Sequence, residues 1–484
     1  MSTAEPKTDL TGEKVSLPTL TAMVVGSMVG SGVFLLPRRF GAESGVLGAI
    51  IAWTIAGTGM LMLAFVFQRL ATRKPDLDAG IFAYAKAGFG DYVGFNSAFG
   101  FWASACAGNA SYWVLIMTTA SAMFPQLGDG STVLAVLVSS IGVWLFCFLI
   151  LRGVKEAAVI NRIATIAKIV PIVAFIVIAL VAFKAGVFAD NFWGGWKAEG
   201  GPSASVFEQA KGTMLITVFV FMGIEGASVY SRYAKKREDV GRATVMGFLS
   251  VLAVFALVTL VSYGVLPQSE LANVSQPSMA SVLESIVGPW GSVFIRAGVV
   301  LSVLGAYLAW TLMAAEILYI PAKSEDMPRF LARTNSHDAP VTALVLAGGL
   351  VQLLLILLLF TSEALDFMLD LTAALALIPY FLAAGYALKL VLTRETYEDR
   401  RPPLADGVVA GLATVYTLFL VYAAGFDHLL LSCILYAAGA VLYVMARRER
   451  GLRLFTAPEA VLFVIILLGA VAGIVGLFTG HIQI

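Results

Sequence analysis

The sequence predicts an all-α integral membrane protein of about 13 transmembrane helices, and three observations carry that reading. Apolar residues make up 59% of the 484 positions and charged residues 13%, half the roughly 25% usual in soluble domains. Mean hydropathy is +0.88, which leaves too little charge to coat a water-facing surface. The apolar residues fall in runs of about 20 or more, the length that crosses ~30 Å of hydrocarbon.

Each run is read as a helix, because open backbone cannot be satisfied in lipid. Taken between charged or Gly, Pro, Asn and Asp breaks, the spans lie near 18–37, 45–68, 92–123, 132–151, 158–183, 209–231, 243–266, 285–320, 341–360, 365–390, 407–425, 429–446 and 457–479. Only Phe426, Asp427 and His428 part the eleventh from the twelfth. Residues 1–17 are polar, which predicts a tail without a cleavable signal and a first span that is its own insertion signal. Of the 32 Lys and Arg residues, all but Arg38, Arg39, Lys184, Lys197, Lys211 and Arg296 fall on one side of this topology. The positive-inside rule makes that side the cytoplasm, so the N-terminus is in and, with an odd span count, the C-terminus out.

Several functions are excluded at once. Net charge is +1, without a basic tail or aromatic-basic patch, so nucleic acid is not an expected partner. Cys106, Cys147 and Cys433 are scattered in apolar segments, a spacing that implies neither a zinc site nor a disulfide framework. His337, His428 and His481 lie outside the spans, so metal or Ser-His-Asp chemistry within the membrane has no histidine to use. The longest polar segments, 184–208 and 321–340, are too short for a catalytic domain. No enzyme, cofactor or metal is expected; whatever the protein does, it does inside the bundle.

The most informative segment interrupts the first span. Gly26-Ser-Met-Val-Gly-Ser-Gly32 holds three glycines and two serines in seven residues, and each Gly costs a helix ~1 kcal/mol against Ala. Gly26 and Gly30 also form a GxxxG pair, so a small-residue packing face is one reading. An unwound binding segment is the other. Gly223-Ile-Glu-Gly-Ala-Ser228 interrupts the sixth span in the same way. Breaks five spans apart are what an inverted 5+5 repeat produces, with 18–183 as the first repeat, 209–390 as the second and 407–479 as additional helices. Half-helix N-termini then present N–H groups and positive dipole ends to a carboxylate, and unwound carbonyls accept from an ammonium. An amino acid has both groups.

At these residues the chain resembles a known family. Gly26 to Pro37, GSMVGSGVFLLP, is similar to the first-helix signature of the amino acid–polyamine–organocation superfamily. Asp78 to Gly90, DAGIFAYAKAGFG, resembles the third-helix entry of its basic amino acid/polyamine antiporter branch, and FMGIEGAS (221–228) and Ala309 to Met313 fit that branch. The likeness runs in order over about 15–400, and the extra last span and the acids favour bacterial arginine/ornithine antiporters and lysine permeases within it. Arginine/agmatine antiporters are similar but have twelve spans. The resemblance implies a LeuT-like fold with broken helices 1 and 6 in a bacterial inner membrane. It carries the carboxylate and amino-group binders onto Ser31 and Gly32, with Met28 and Gly30 beside them, and onto Met222 and Ile224. The acid of the sixth-helix break falls on Glu225, the third-helix contacts on Ser104, Ala105, Asn109 and Tyr112, and the eighth-helix tryptophan on Trp310. The sixth-helix aromatic is Phe219 where agmatine exchangers carry Trp, a departure at a guanidinium-stacking position. The tenth-helix contact is Asp370 or Thr372.

Acids within spans are functional by default, given their cost in lipid. Glu225 either caps the broken half-helix or meets the substrate. Glu316, six residues after Trp310 and ~9 Å further along the eighth span, either guards the inner exit or pairs with Lys323. Glu363, Asp366 and Asp370 are spaced by three and four and share one helix face. They form either a solvated helix entrance or an acidic stripe that focuses a cation inward. Phe101, Tyr112, Phe219 and Trp310 stand near the breaks, where a cation against a ring gains ~0.5–2 kcal/mol. Tyr84 is expected at an inner gate, and Lys86 as a snorkelling lysine.

The expected function is therefore secondary active exchange of cationic amino acids, arginine or lysine for ornithine or a relative, by alternating access. The alternatives are a proton-coupled permease importing lysine or another amino acid and, from a different class, a channel, for which no repeated polar ring is found. Expected partners are small amino acid substrates and the lipid bilayer. Homodimer formation, seen in related families, is an open expectation.

Overall fold

The structure, a computed structural model, describes residues 16–77, 81–153, 158–194, 205–225, 237–361, 363–397 and 402–482. Among these residues the regular elements are helical, and the extended pairing is a single bridge between Thr334 and Pro340. The first span is two helices, α1 (Leu17–Met28) and α2 (Leu36–Glu43), joined through the 3-10 turn Gly32–Leu35 with a bend of 51°. The near face of the bundle is where α1 begins; the far face is where α2 ends. Then follow α3 (Val46–Arg73), the short α4 (Ile81–Phe89), α5 (Asp91–Ala120), α6 (Val133–Leu151), α7 (Ala158–Val181) and the short α8 (Ala185–Asp190). The sixth span begins as α9 (Val206–Gly212) and α10 (Met214–Phe221). After it come α11 (Arg237–Ser262), the short α12 (Gln268–Leu271) and α13 (Ser278–Val287), α14 (Pro289–Lys323), α15 (Val341–Leu357), α16 (Ala364–Thr393), α17 (Leu404–Glu449) and α18 (Ala457–Thr479).

Among the described residues nine helices are long and apolar enough to cross a membrane, ten with the bent first pair. The eleventh and twelfth predicted spans are two helices within α17, which counts once among the nine; they are parted at Gly425 (φ 78°, ψ 165°), beside the expected break at Phe426 to His428. The third predicted span, α5, is 30 residues long but too polar to stand among the nine. The reason is position. Almost every residue of α5 is buried, so it meets protein rather than lipid and can carry polar groups where the neighbouring backbone offers partners. Asn96 donates to Tyr92 O at 2.9 Å, Ser104 to Thr372 O at 2.7 Å and Ser111 to Gly108 O at 2.7 Å. Its many Gly, Ala and Ser residues let α14, α15 and α16 approach, the usual means of helix association where lipid supplies no hydrophobic drive. The peripheral helices do the reverse: α6, α7 and α18 turn Ile141, Val181 and Phe478 outward.

Polar ties fix both faces. On the far face, Ser278 Oγ at the start of α13 donates to Phe34 O at 3.2 Å, and Gln268 Nε2 donates to Gly41 O and Ser44 O. The loop helices therefore clamp α2 and the turn before it. On the near face, Arg447 reaches Asp91 at 2.7 Å, Lys86 pairs with Asp326, and Arg69 and Arg73 share Asp406. Asp406 is buried while Asp91 and Lys86 are half-exposed, and a solvent-screened pair contributes ~0–1 kcal/mol. The value of these pairs is in tying α3, α4, α5 and α17 together at one level.

Candidate functional site

The first break follows from its glycines. α1 ends at Met28, and Val29 is extended (φ −73°, ψ 97°) before the 3-10 turn begins at Gly32. The end of a helix leaves carbonyls without partners. Lys168 of α7 supplies donors: its Nζ lies 3.0 Å from Gly26 O and 2.7 Å from Val29 O. The topology reading counts Lys168 with the cytoplasmic charges. The structure corrects this by placing its ammonium against the break, and an intramembrane lysine is itself the signal that could have found it.

In the second break α10 stops at Phe221, Met222 is extended (φ −56°, ψ 139°) and Gly223 has φ +101°. That backbone region suits glycine. A Cβ on Gly223 would stand 2.3 Å from Ser27 O, and one on Gly32 would stand 2.6 Å from Val220 Cγ1 and 3.0 Å from the Phe219 ring. The two breaks are thus in backbone contact. Gly26 and Gly30, by contrast, have nothing described within 4 Å of an added Cβ. Among the described residues the glycine under contact is Gly32, out of the GxxxG register. Residues 226–228 of the second motif, and 78–80 of the third-helix motif, lie outside the described residues.

A cavity lies where the breaks meet α5, α14 and α16. Its lining includes Met28, Gly30, Ser31 and Gly32 from the first break, Ser104, Ala105 and Tyr112 from α5, Phe219 and Met222 from the second, and Trp310 and Thr372. Ser27, Val33, Gly108 and Val220 complete it. Its free volume is about 30 Å³, room for about two waters, so a larger solute enters only if the walls move apart.

The other expected residues lie outside this lining. Asn109 is buried one turn from Tyr112 and donates to Thr311 Oγ1 at 3.4 Å; Ile224 is buried and donates its N–H to Phe221 O. Glu225 Oε2 accepts from the Tyr380 hydroxyl at 2.9 Å and from the Gly223 N–H at 3.2 Å. Of the two tenth-helix candidates, Thr372 reaches the cavity. Asp370 is instead paired with Arg39. Asp366 meets Arg39 at 3.4 Å, and Glu363 meets Arg38 at 3.3 Å. The acidic stripe therefore faces two arginines of α2. Tyr84 is buried in α4, and Glu316 is exposed on α14 while Lys323 lies over the Tyr319 ring. Residue typing missed Tyr380, Lys168 and the arginine partners, because their partners lie far away in sequence.

A helical membrane bundle in which a broken first helix and the end of α10 close on a small polar-and-aromatic cavity is the architecture of a membrane transporter. The chain belongs to the amino acid permease family, whose family model matches residues 15–429. It is 48% identical over 479 residues to the arginine/ornithine antiporter of Pseudomonas aeruginosa, covering 98% of this chain and 99% of that protein. It is 37% identical over 490 residues to the L-lysine transport protein of Corynebacterium glutamicum, with 98% and 97% covered. It is also 37% identical over 455 residues to the arginine/agmatine antiporter of Chlamydia abortus, with 93% of each chain covered. These relatives are transporters, and the expectation of a transporter rather than an enzyme stands with them.

Proposed function

We propose that the protein exchanges cationic amino acids across the cell membrane, arginine or lysine against ornithine or a close relative, by alternating access. The observation that carries this is the contact of the two breaks over one cavity, with the Glu225 carboxylate anchored in the second break by Tyr380 and the Gly223 N–H, in a chain 48% identical to an arginine/ornithine antiporter. In this reading the N–H groups around Ser31 and Gly32 hold the substrate carboxylate, and carbonyls near Met222 and Ile224 hold its amino group. Phe219, Tyr112 and Trp310 flank the side chain, and Glu225 answers its charge. The halves 18–183 and 209–390 are the two inverted repeats. The basic residues near Arg69, Lys86 and Arg447 make the near face cytoplasmic. The pairs of Arg38 and Arg39 with Glu363, Asp366 and Asp370 close the outer path in this arrangement.

Counterflow in proteoliposomes tests the reading. Internal ornithine is expected to speed entry of labelled arginine by about ten-fold or more, since exchange gives the empty carrier no easy return. Equal rates into loaded and empty vesicles would refute exchange. Net lysine uptake is the second reading, favoured by the likeness to a lysine transport protein, and uptake into empty vesicles under an imposed pH gradient would favour it.

Lys168→Met provides a separate check on the first break. Two carbonyls lose charge-assisted bonds of about 1.5–3 kcal/mol each, so exchange is expected to fall at least about ten-fold. Initial counterflow rates, read beside an unchanged size-exclusion profile, measure this; a parental rate would show that Lys168 does not hold the break.

A further inference from the structure

A second, larger concavity opens on the near face, away from the central cavity. It lies between the end of α3, the beginning of α11 and the start of α17, and its volume is about 920 Å³. Among the described residues Arg69, Arg73 and Arg242 line it with a single carboxylate, Asp406, so these groups together carry a charge of +2, three cations less one anion. Two of the arginines are held in place. Arg69 lies 3.1 Å and Arg73 2.7 Å from Asp406, Arg69 also donates to Ala405 O at 2.8 Å, and Arg73 stacks 3.9 Å above the Tyr397 ring. One carboxylate cannot neutralise both guanidiniums. Arg242 is exposed and has no ion-pair partner among the described residues.

The lining changes character with depth. The charged groups and the neutral donors Gln68 and Thr72 sit at the helix ends, whereas Phe65, Val245 and Met246 form the inner wall. Phe65 is eight residues before Arg73 on α3, or ~12 Å deeper at 1.5 Å per residue. Met246 follows Arg242 by one turn, and Leu249 continues the same exposed apolar track. A cationic mouth above an apolar wall open to the acyl region matches an amphiphile with an anionic head. Planar guanidinium forks suit phosphate oxygens in particular, and basic pockets between spans are suited to anionic lipid headgroups.

We infer that this cleft is a binding site for the phosphate headgroup of an anionic phospholipid in the near-face leaflet, with Arg69, Arg73 and Arg242 as its ligands. A free phosphate would satisfy the arginines but not the apolar wall, and the test separates the two. Native mass spectrometry of the purified full-length protein is read with added dioleoyl phosphatidylglycerol, dioleoyl phosphatidylcholine or inorganic phosphate. Phosphatidylglycerol is expected to stay bound at least about five-fold better than phosphatidylcholine, and Arg242→Gln to lose about that factor. Arg333→Gln, an exposed near-face arginine outside the cleft, should retain the lipid, and unchanged thermal melting of both variants excludes misfolding. Equal retention of the two lipids, undiminished phosphatidylglycerol on Arg242→Gln, or displacement of the lipid by equimolar inorganic phosphate would each overturn the assignment.

Discussion

Glu225→Gln is expected to raise the KM for arginine and lysine about 100-fold, a loss of about 3 kcal/mol, within the 2–5 kcal/mol typical of a buried charge deprived of its partner. Gln keeps the shape of the side chain and can still accept from Tyr380, which bonds Glu225 at 2.9 Å. The Gly223 N–H at 3.2 Å also keeps an acceptor. What changes is the charge that a substrate cation meets. The effect should therefore follow the substrate: a neutral amino acid, if carried at all, loses little, while cations lose most. Counterflow with arginine, lysine, ornithine, histidine and agmatine as competitors measures it. Uniform loss across neutral and cationic substrates would assign Glu225 to capping the break rather than to recognition. Tyr380→Phe separates the positioning hydroxyl from the carboxylate, because it removes one bond without removing charge.

The parts legible in the sequence are those with a local physical cause. Spans show because a helix must be apolar for about 20 residues to cross lipid. Both breaks show because glycine density undoes a helix within a few residues. Even α5, polar for a span, is legible as a continuous run between Gly90 and Ser121. Pairings made across the bundle are not. Arg39 lies 331 residues from Asp370, and nothing near either residue announces the other. The ambiguity between Asp370 and Thr372 shows the same limit. Two residues on a helix are ~200° apart, so one of them faces the cavity and the other must face elsewhere. Composition cannot say which; the packing of α16 against α5, where Ser104 bonds Thr372 O, decides for Thr372.

Gly223→Ala is expected to abolish measurable exchange. Two costs act together. The φ of +101° is one that an L side chain adopts only with strain, ~1–3 kcal/mol. The new methyl would also fall 2.3 Å from Ser27 O, well inside contact distance, and the obstacle is backbone, not a side chain that can swing away. Relief requires α10 to draw back from the first break, which opens the seam on which the cavity depends. Gly26→Ala is the matched comparison, with nothing described within 4 Å of its Cβ, and Ala favours a helix by ~1 kcal/mol over Gly. That variant should retain most of the exchange rate although it alters the more glycine-rich break. Counterflow rates of the two variants, normalised to folded protein by size exclusion, make the comparison. If Gly223→Ala exchanges as fast as Gly26→Ala, the two breaks do not meet during transport as they do here, and the binding of a substrate between them is lost as an explanation.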